Sequence, residues 1–456
     1  KSTTTKDSKV LRHYQKEASN IVTSFIPTRD HFDPVPILNN HHFQTIGGVV
    51  LRKSLPTLKY VKKDDWMSCV IQAVGSTIQG KESNDLIGDS DCLKRKFWDE
   101  RERIETPDGD WFHADYKYAD NDDEHTTGQN NSKEKLVGEQ KSPSLPFPRT
   151  SSARGLVILL HGLESNSDSP LSKEIANGYH KLGLDVVCLN FRGCSGTPND
   201  TLGGYHLGFT DDLKHYLSLV KSGANDLSSP LPPIYLAGFS LGSNVALKAL
   251  GELGEAARDE YNIQGAALQC APLDQEFNYM AMEKPGINRQ LYSGNLLKSM
   301  KTRLQYQLET MCDGNEKTDK FDYPRAMAAT KISQLEDAFL GPIYGFDSYL
   351  DYYRKTSSIF FLDGIAVPTL IVNSKDDPFF NGNVWPVEKS CENGGNLPIK
   401  MIRSHHGGHL GFFLHQIEDE DELLKLHSDP LSPSWCTAEC ARFIKHVHKT
   451  STSSFV

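Results

Sequence analysis

Short apolar runs alternate with amphipathic segments through the middle of the chain. Short runs rich in apolar or β-branched residues and bounded by glycine or polar residues lie at 155–160, 185–191, 233–239 and 265–270. Such runs are typical of strands buried on both faces of a sheet. The segments between them have the spacing of amphipathic helices. This order predicts an α/β fold with a mostly parallel central sheet and helices on both faces.

The patterns on either side of this region predict a hairpin, a helical insertion and further strands. Residues 97–118 alternate around Pro107-Asp108-Gly109, which predicts an antiparallel hairpin with a turn at Gly109. Residues 274–360 interrupt the β-α alternation with helical spacing, and we interpret them as a helical cap. Strand-like runs resume at 367–374 and 397–403, and a last helix is predicted from about Pro433 to His448.

These patterns predict one decorated domain. Residues 1–35 are interpreted as an N-terminal arm, 36–449 as the main α/β domain, and 450–456 as a C-terminal tail. Residues 120–154 are rich in charged, Ser, Asn and Pro residues, which predicts a polar surface insertion because such a segment cannot bury enough apolar area. Residues 64–95 show no clear periodicity.

Composition and charge narrow the choice of partners. The chain has 456 residues, 38% of them hydrophobic, which is enough for a large core. Its formal net charge of -10 gives no global attraction for nucleic acid, and we expect no nucleic-acid partner. No apolar run is long enough for a transmembrane segment. The sequence leaves open peripheral contact with a membrane and the oligomeric state.

The nine cysteines lack the spacing of a zinc site, and free thiols in a reducing compartment are the favoured interpretation. We therefore expect an intracellular location, in the cytoplasm or an organelle. The sequence begins at Lys1 rather than Met, and it leaves open whether a targeting segment is missing from this chain.

The strongest chemical signal is Gly238-Phe239-Ser240-Leu241-Gly242, which lies directly after a predicted strand and before a predicted helix. A nucleophilic serine needs a tight strand-to-helix turn to expose its hydroxyl, and the flanking glycines avoid collisions with neighbouring backbone. The pentapeptide alone is a weak signal, but its setting predicts Ser240 as a nucleophile.

A second signal is His161-Gly162-Leu163, directly after the first buried strand. In serine hydrolases built on such a sheet, this loop and the residue after the nucleophile supply the backbone N–H groups of the oxyanion hole. We therefore predict Leu163 and Leu241, through their backbone, as the oxyanion donors. A simple glycine turn is the alternative.

The acid and the base should follow the nucleophile in the chain. For the acid, Asp376 and Asp377 compete after the run 367–374, and we favour Asp377, which Pro378 follows, because taking Asn373-Ser374 as the familiar end of that strand places Asp377 at the acid position. For the base, His409 is favoured over His405 and His406, because Gly407-Gly408 gives a loop that can place its imidazole over the sheet edge.

Several spaced motifs together resemble one family. They are HFQTIGG, ERIETPDGDWFHADY, HGLESNSDSPL, NFRGCSG, GFSLGSN, LGPIYGFDSYLDYY, VNSKDDPF and HHGGHLGFF. In this order, from about Pro36 to the last helix, they resemble the EMB8/YheT-like α/β hydrolases, which include the ABHD1/ABHD3-type phospholipid and acylglycerol hydrolases of animals. The resemblance implies the α/β-hydrolase fold, a triad at Ser240, Asp377 and His409, and action on esters of medium or long acyl chains. No role for the shared His42, Gln44 and Thr45 follows from the sequence.

The sequence therefore predicts a serine carboxylester hydrolase acting on a small-molecule ester or lipid. Acyl transfer to an alcohol uses the same triad and stays open. A non-catalytic ligand-binding protein on the same fold is the alternative from a different class. No cofactor is expected, and no metal, because no HExxH or clustered carboxylate-histidine pattern occurs.

Overall fold

The computed structural model describes residues 9–27, 42, 44–45, 97–119, 155–226, 230–286, 288–311, 320–380, 385–412 and 434–453. The predicted polar insertion at 120–154 and the segment 64–95 lie outside the described residues.

One mixed sheet of eight strands organises the described part of the chain, in the order β1-β2-β4-β3-β5-β6-β7-β8. The strands are β1 Glu100–Glu105, β2 Trp111–Lys117, β3 Leu156–Leu160, β4 Asp185–Leu189, β5 Ile234–Phe239, β6 Ile263–Gln269, β7 Thr369–Ser374 and β8 Ile399–Ser404. β1 and β2 form the predicted hairpin, and β2 pairs antiparallel with β4. The remaining neighbours in this order, from β4–β3 through β7–β8, all pair parallel. The predicted α/β architecture is confirmed.

Helices occupy both faces of the sheet and a large insertion between β6 and β7. They are α1 Lys9–Ser24, α2 Pro170–His180, α3 Asp211–Asp226, α4 Leu241–Leu253, α5 Ala256–Asp259, α6 Gln275–Glu283, α7 Gly294–Met311, α8 Tyr323–Ala328, α9 Ile332–Tyr344, α10 Tyr349–Thr356 and α11 Trp435–Ser453. A π-helical turn, Arg289–Ser293, precedes α7. We call α6 to α10 and this turn the cap helices.

Alternate residues of each central strand enter different cores, because successive side chains of a strand point to opposite faces. In β3, Leu156, Ile158 and Leu160 pack in the core that contains α3, α4 and cap residues. Val157 and Leu159 pack in a second core with α2 and α11. Burial on both faces explains why β3 has no polar position.

Helix α1 lies within the predicted N-terminal arm and was not predicted as a helix. It packs near β8, where Gln15 donates from Nε2 to the carbonyls of Asp363 and Ile365 at 3.0 and 3.1 Å. Just beyond its end, Phe25 packs edge-on against Phe443 of α11 at 5.1 Å. These contacts attach the segment to the main body of the protein.

The last helix is longer than predicted. It continues to Ser453, so the predicted tail at 450–456 is wrong for its first residues. The apolar spacing weakens after His448, and the polar residues that follow were read as a tail. In the structure the hydroxyl of Thr450 donates to the carbonyl of His446, which lies one turn back.

Among the helices that the structure describes, none combines the length and apolar character needed to cross a bilayer.

The parallel strands end at one edge of the sheet, and this edge collects the residues singled out in the sequence. His161 follows β3, Ser240 follows β5, Asp377 lies three residues after β7, and His409 lies five residues after β8. In open α/β sheets, ligands bind beyond the carboxyl ends of the strands. The fold therefore places these side chains where a site is expected.

Candidate active site

Ser240 lies on a strained turn between β5 and α4, with φ 53° and ψ -124°. This left-handed φ is costly for a residue with a Cβ. The turn is possible because the residues two positions before and after Ser240 are glycines: a Cβ on Gly242 would lie 2.2 Å from the carbonyl oxygen of Leu160. The Ser240 N–H donates to the Gln269 carbonyl at 2.9 Å, which ties the turn to β6. The backbone thus raises the Ser240 hydroxyl above the sheet.

His409 accepts from that hydroxyl. The distance between His409 Nε2 and Ser240 Oγ is 3.0 Å, and that between His409 Nδ1 and Asp377 Oδ2 is 2.8 Å. The tautomer that satisfies both contacts has its proton on Nδ1, because an ionised carboxylate only accepts hydrogen bonds. Nε2 is then free to take the Ser240 proton.

The two candidate acids point in different directions. Asp377 is 4% exposed, and its Oδ1 accepts from the Phe379 N–H at 2.8 Å while Oδ2 faces His409. Asp376 accepts from the Gly408 N–H at 2.9 Å and lies 3.5 Å from His406 Nδ1. Asp377 is thus the carboxylate that the structure brings to His409, while Asp376 fixes the backbone of the histidine loop.

Two contacts that the sequence did not predict brace His409. Its backbone N–H donates to Thr45 Oγ1 at 2.9 Å, across 364 positions of sequence. Its ring packs on Phe379 at a centroid distance of 4.2 Å. Phe379 in turn contacts Tyr292 of the cap at 5.0 Å, and the Tyr292 hydroxyl is 2.9 Å from His42 Nδ1. His42 and Thr45, for which the sequence indicates no role, therefore support the histidine.

His161 holds the loop after β3 in a fixed shape. It is fully buried, its Nε2 accepts from the Phe191 N–H at 3.0 Å, and its Nδ1 lies 2.8 Å from the Gly162 carbonyl. Desolvation by burial lowers the pKa of His161 to about 4. The ring is therefore neutral at pH 7, with its proton on Nδ1, and acts as a spacer within the loop.

The two predicted oxyanion donors, Leu163 and Leu241, line the same pocket as Ser240. Within the described part of the chain, the backbone N–H groups of Leu163 and Leu241 have no hydrogen-bond partner. Leu241 is the first residue of α4, where N–H groups lack intrahelical acceptors and the helix dipole favours negative charge. Both groups are available to a developing oxyanion.

Glu164, next to Leu163, connects this loop to the cap. Its Oε1 accepts from Arg303 Nε at 2.9 Å, and its Oε2 accepts from the Ser299 hydroxyl at 3.0 Å. Its own N–H donates to the Tyr205 hydroxyl at 2.9 Å. The Glu164 and Arg303 side chains are only 9% and 15% exposed, so solvent screens this pair weakly. Arg303 and Ser299 lie on α7, so these contacts tie the loop to the cap.

An inner pocket extends from Ser240 beneath the cap helices. Its walls are mostly apolar and come from α7 and α9; they include Met300, Leu304, Ile332, Leu335, Phe339 and Leu340. Ser240 and His409 lie at one end. A pocket with this lining fits an extended apolar chain.

A wider outer cleft meets the inner pocket at Ser240, His409 and Phe379. Its empty volume is about 1760 Å³, and its rim combines the polar loop 164–169 with Leu291 and Leu296 of the cap. The Ser240 hydroxyl thus lies between an apolar pocket and an open, partly polar cleft.

Cys270, Asp377 and His409 place one potential metal-ligating atom each within 4.8 Å of one another. Each atom already has a partner: Cys270 Sγ accepts from the Leu410 N–H at 3.3 Å, and Asp377 and His409 bond each other. We assign no metal to this group.

The fold and this arrangement are those of a known family. The model of the family described as "alpha/beta hydrolase fold" matches residues 155–416, more than half of the chain. The chain belongs to the α/β hydrolase fold family, as the resemblance of its motifs implies.

Within that family, the chain is similar to the YheT protein of Escherichia coli, with 28% identity over 70% of this chain and 79% of the relative. It is also similar to two proteins of Saccharomyces cerevisiae. These are medium-chain fatty acid ethyl ester synthase/esterase 2, at 27% identity over 63% of this chain, and a monoacylglycerol lipase, at 24% identity over 68% of this chain. The matches span 61% and 63% of these two yeast proteins, less than two thirds of their lengths.

Proposed function

We propose that the protein is a serine carboxylester hydrolase with Ser240 as nucleophile, His409 as general base and Asp377 as the acid. The observation that carries the proposal is the continuous chain of hydrogen bonds from Ser240 Oγ through His409 to Asp377, at the mouth of an apolar pocket. The names of the yeast relatives, an esterase and a lipase, support the same chemistry.

The mechanism follows from the positions of these groups. His409 Nε2 removes the Ser240 proton as Oγ attacks the ester carbonyl, and the N–H groups of Leu163 and Leu241 stabilise the oxyanion. His409 then donates the proton to the leaving alcohol, which gives an acyl-enzyme. Water, activated by His409, releases the acid and restores Ser240. Asp377 holds the imidazole in the Nδ1-protonated form.

The two cavities suggest where the acyl and alcohol parts of an ester substrate bind. The inner pocket takes an acyl chain of medium or longer length, because its walls are apolar and lie under the cap helices. The outer cleft takes the alcohol, because it is open and its rim is partly polar. Substrates are thus small-molecule esters, including lipid esters, and residues 274–360 serve as the cap that selects the acyl chain.

Labelling with a fluorophosphonate probe tests the proposal. We expect labelling of the protein and none of Ser240→Ala, together with hydrolysis of p-nitrophenyl esters that peaks at a medium or long chain. Loss of the nucleophile should lower kcat by about a millionfold. Folded protein that reacts with neither the probe nor the esters would instead identify a ligand-binding protein.

Acyl transfer is a second candidate, favoured by the open outer cleft at the acyl-enzyme. In this reaction the hydroxyl of an alcohol replaces water, His409 takes its proton, and a new ester leaves. Reaction of a p-nitrophenyl ester in the presence of ethanol measures how the acyl-enzyme partitions between water and alcohol. Ethyl ester formed in proportion to ethanol, at constant p-nitrophenol release, indicates transfer; free acid alone indicates hydrolysis.

A further inference from the structure

A carboxyl group lies in the wall of the inner pocket, where an alkyl chain alone cannot satisfy it. Glu336 of α9 lines the pocket with Leu335, Phe339 and Leu340 and is 9% exposed. Its Oε2 accepts from the hydroxyl of Tyr353 on α10. Within the described residues, Oε1 has no hydrogen-bond partner, and no lysine or arginine forms an ion pair with Glu336.

We infer that Glu336 is a specificity-determining residue that binds an oxygen function, a hydroxyl or a carbonyl, carried on the acyl chain of the substrate. This inference rests on the proposed function, because it assigns the acyl chain to the inner pocket. A buried polar group that loses water without gaining a partner opposes binding, so a plain alkyl chain is disfavoured. A chain with an oxygen at the right carbon restores the hydrogen bond.

The charge state of Glu336 fixes which partner it takes. Burial, the dominant cause, raises the pKa of its carboxyl to about 8, with the nearby Glu283 acting in the same direction and the Tyr353 hydrogen bond against it. At pH 7 the group is therefore mainly protonated. Because Tyr353 donates to Oε2, the proton resides on Oε1, which becomes a donor to a hydroxyl or carbonyl oxygen.

The groups around Glu336 do not supply that partner. Glu283 of α6 is occupied by Ser333, which donates to its two oxygens from its N–H at 2.8 Å and its hydroxyl at 2.9 Å. The Tyr352 hydroxyl of α10 accepts from the Leu207 N–H at 2.8 Å. The other titratable side chains that line the inner pocket are Tyr205, His206, Arg303 and His409.

Glu336 differs from Glu283, a buried acid with a structural role, in how its two oxygens are hydrogen-bonded. In Glu283 both oxygens are bonded within the cap, whereas Glu336 has one oxygen bonded and the other left for a ligand. Sites that hydrogen-bond a substrate reject analogues lacking the matching group far better than apolar pockets discriminate by size. We therefore expect a preference of about ten- to a hundredfold in kcat/KM.

The test compares p-nitrophenyl octanoate with its hydroxy and oxo derivatives, substituted in turn at each carbon from mid-chain to the end. At about pH 6 we expect one position at which both derivatives exceed octanoate in kcat/KM by about tenfold or more. In Glu336→Leu this ratio should fall to near one or below. Glu283→Gln is the control, and its ratio should equal that of the unmodified protein.

A pH series keeps the test valid if Glu336→Leu fails to fold. Above about pH 8 the ionised carboxylate still accepts from a hydroxyl but repels a carbonyl oxygen, so the preference for the oxo derivative should disappear while that for the hydroxy derivative persists. In Glu336→Gln both ratios should be independent of pH. Each ratio is taken at one pH, so any effect of pH that is common to both substrates cancels.

Two results would overturn the inference: ratios near one at every substituted carbon, or a preference that Glu336→Leu and Glu336→Gln leave unchanged at all pH values. Either result, with hydrolysis of octanoate and labelling of Ser240 intact, rejects the role of Glu336 alone. Absence of labelling and of all hydrolysis rejects the proposed function instead.

Discussion

At the scale of single residues, the site depends on side chains that hold the reacting groups as much as on the reacting groups themselves. Ser240, His409 and Asp377, the proposed triad, are indicated by their sequence setting, but His409 needs its backbone fixed as well as its ring. Thr45 provides this through its hydroxyl, 2.9 Å from the His409 N–H. Thr45 is 6% exposed, so water cannot replace it readily.

Thr45→Val should slow catalysis without abolishing it. The substitution keeps the shape of the side chain but leaves the buried His409 N–H without its acceptor, which costs about 1–3 kcal/mol. We expect kcat for ester hydrolysis to fall by about tenfold, with a smaller change in KM, because the imidazole is less well placed over Ser240.

Thr45→Ser retains the hydroxyl and should recover most of the activity. Steady-state kinetics of the two variants, with thermal unfolding measured in parallel, separates positioning from stability. Equal kcat values for Thr45→Val and the unmodified protein would show that the contact does not position His409.

At the scale of elements, the link between α7 and the loop after β3 joins the cap to the oxyanion donors. Arg303 and Ser299 of α7 both bond Glu164, whose neighbour Leu163 carries one of the proposed donors. The cap therefore shapes the inner pocket and also fixes part of the catalytic geometry.

Arg303→Met should weaken this link, because it leaves the Glu164 carboxylate buried without its cation. Breaking a buried pair from one side typically costs about 3–5 kcal/mol. We expect a large loss of kcat/KM from Arg303→Met and a smaller combined loss when Glu164→Gln is added, since the second change removes the unpaired charge.

A double-mutant cycle measures the coupling, which should reach about 1–3 kcal/mol in kcat/KM. Lys298→Met, on an exposed position of the same helix, serves as the control and should have little effect. Strictly additive effects of the Arg303 and Glu164 substitutions would contradict a functional link between cap and loop.

At the scale of the whole molecule, the buried acid Glu336 makes folding stability depend on pH. Its pKa is raised by burial to about 8 in the folded protein, above the ordinary value of 4.5. The folded state therefore binds a proton that the unfolded state releases. This contribution to stability is fully present below about pH 4.5 and is lost as the pH rises through about 8.

The free energy of unfolding of the unmodified protein should thus gain about 2 kcal/mol, relative to Glu336→Gln, when the pH is lowered from about 8 to about 6. Urea unfolding of both proteins at each pH gives this difference directly. A difference that does not change with pH would mean that Glu336 is not protonated in the folded state.

Much of the architecture could be predicted from the sequence because its signals are local. Within a few residues, the sequence indicates the apolar runs that form β3 to β8 and the turn around Ser240. A strand buried on both faces needs apolar residues, and a strained turn needs glycine near it. The tight setting of Gly242 against the Leu160 carbonyl explains why the glycine is there.

What could not be predicted depends on contacts between distant parts of the chain. Helix α1 was missed because its apolar positions are few and its helical state is favoured by packing near β8 and α11. The roles of Thr45, Glu164 and Glu336 were missed because nothing near them in sequence indicates their partners. The choice of Asp377 over Asp376 rested on a strand-end pattern, and only the fold reveals where each carboxylate points.

The long span between Thr45 and His409 bears on how the protein is made. During synthesis the Ser240 turn leaves the ribosome well before the histidine loop, and for that interval the nascent chain carries a serine without a base. Thr45 is synthesised earlier still, so its hydroxyl is without the His409 N–H for an even longer interval. If the proposed triad carries the reaction, a nascent chain that ends before His409 cannot hydrolyse esters, and activity begins only after translation has passed the last strand.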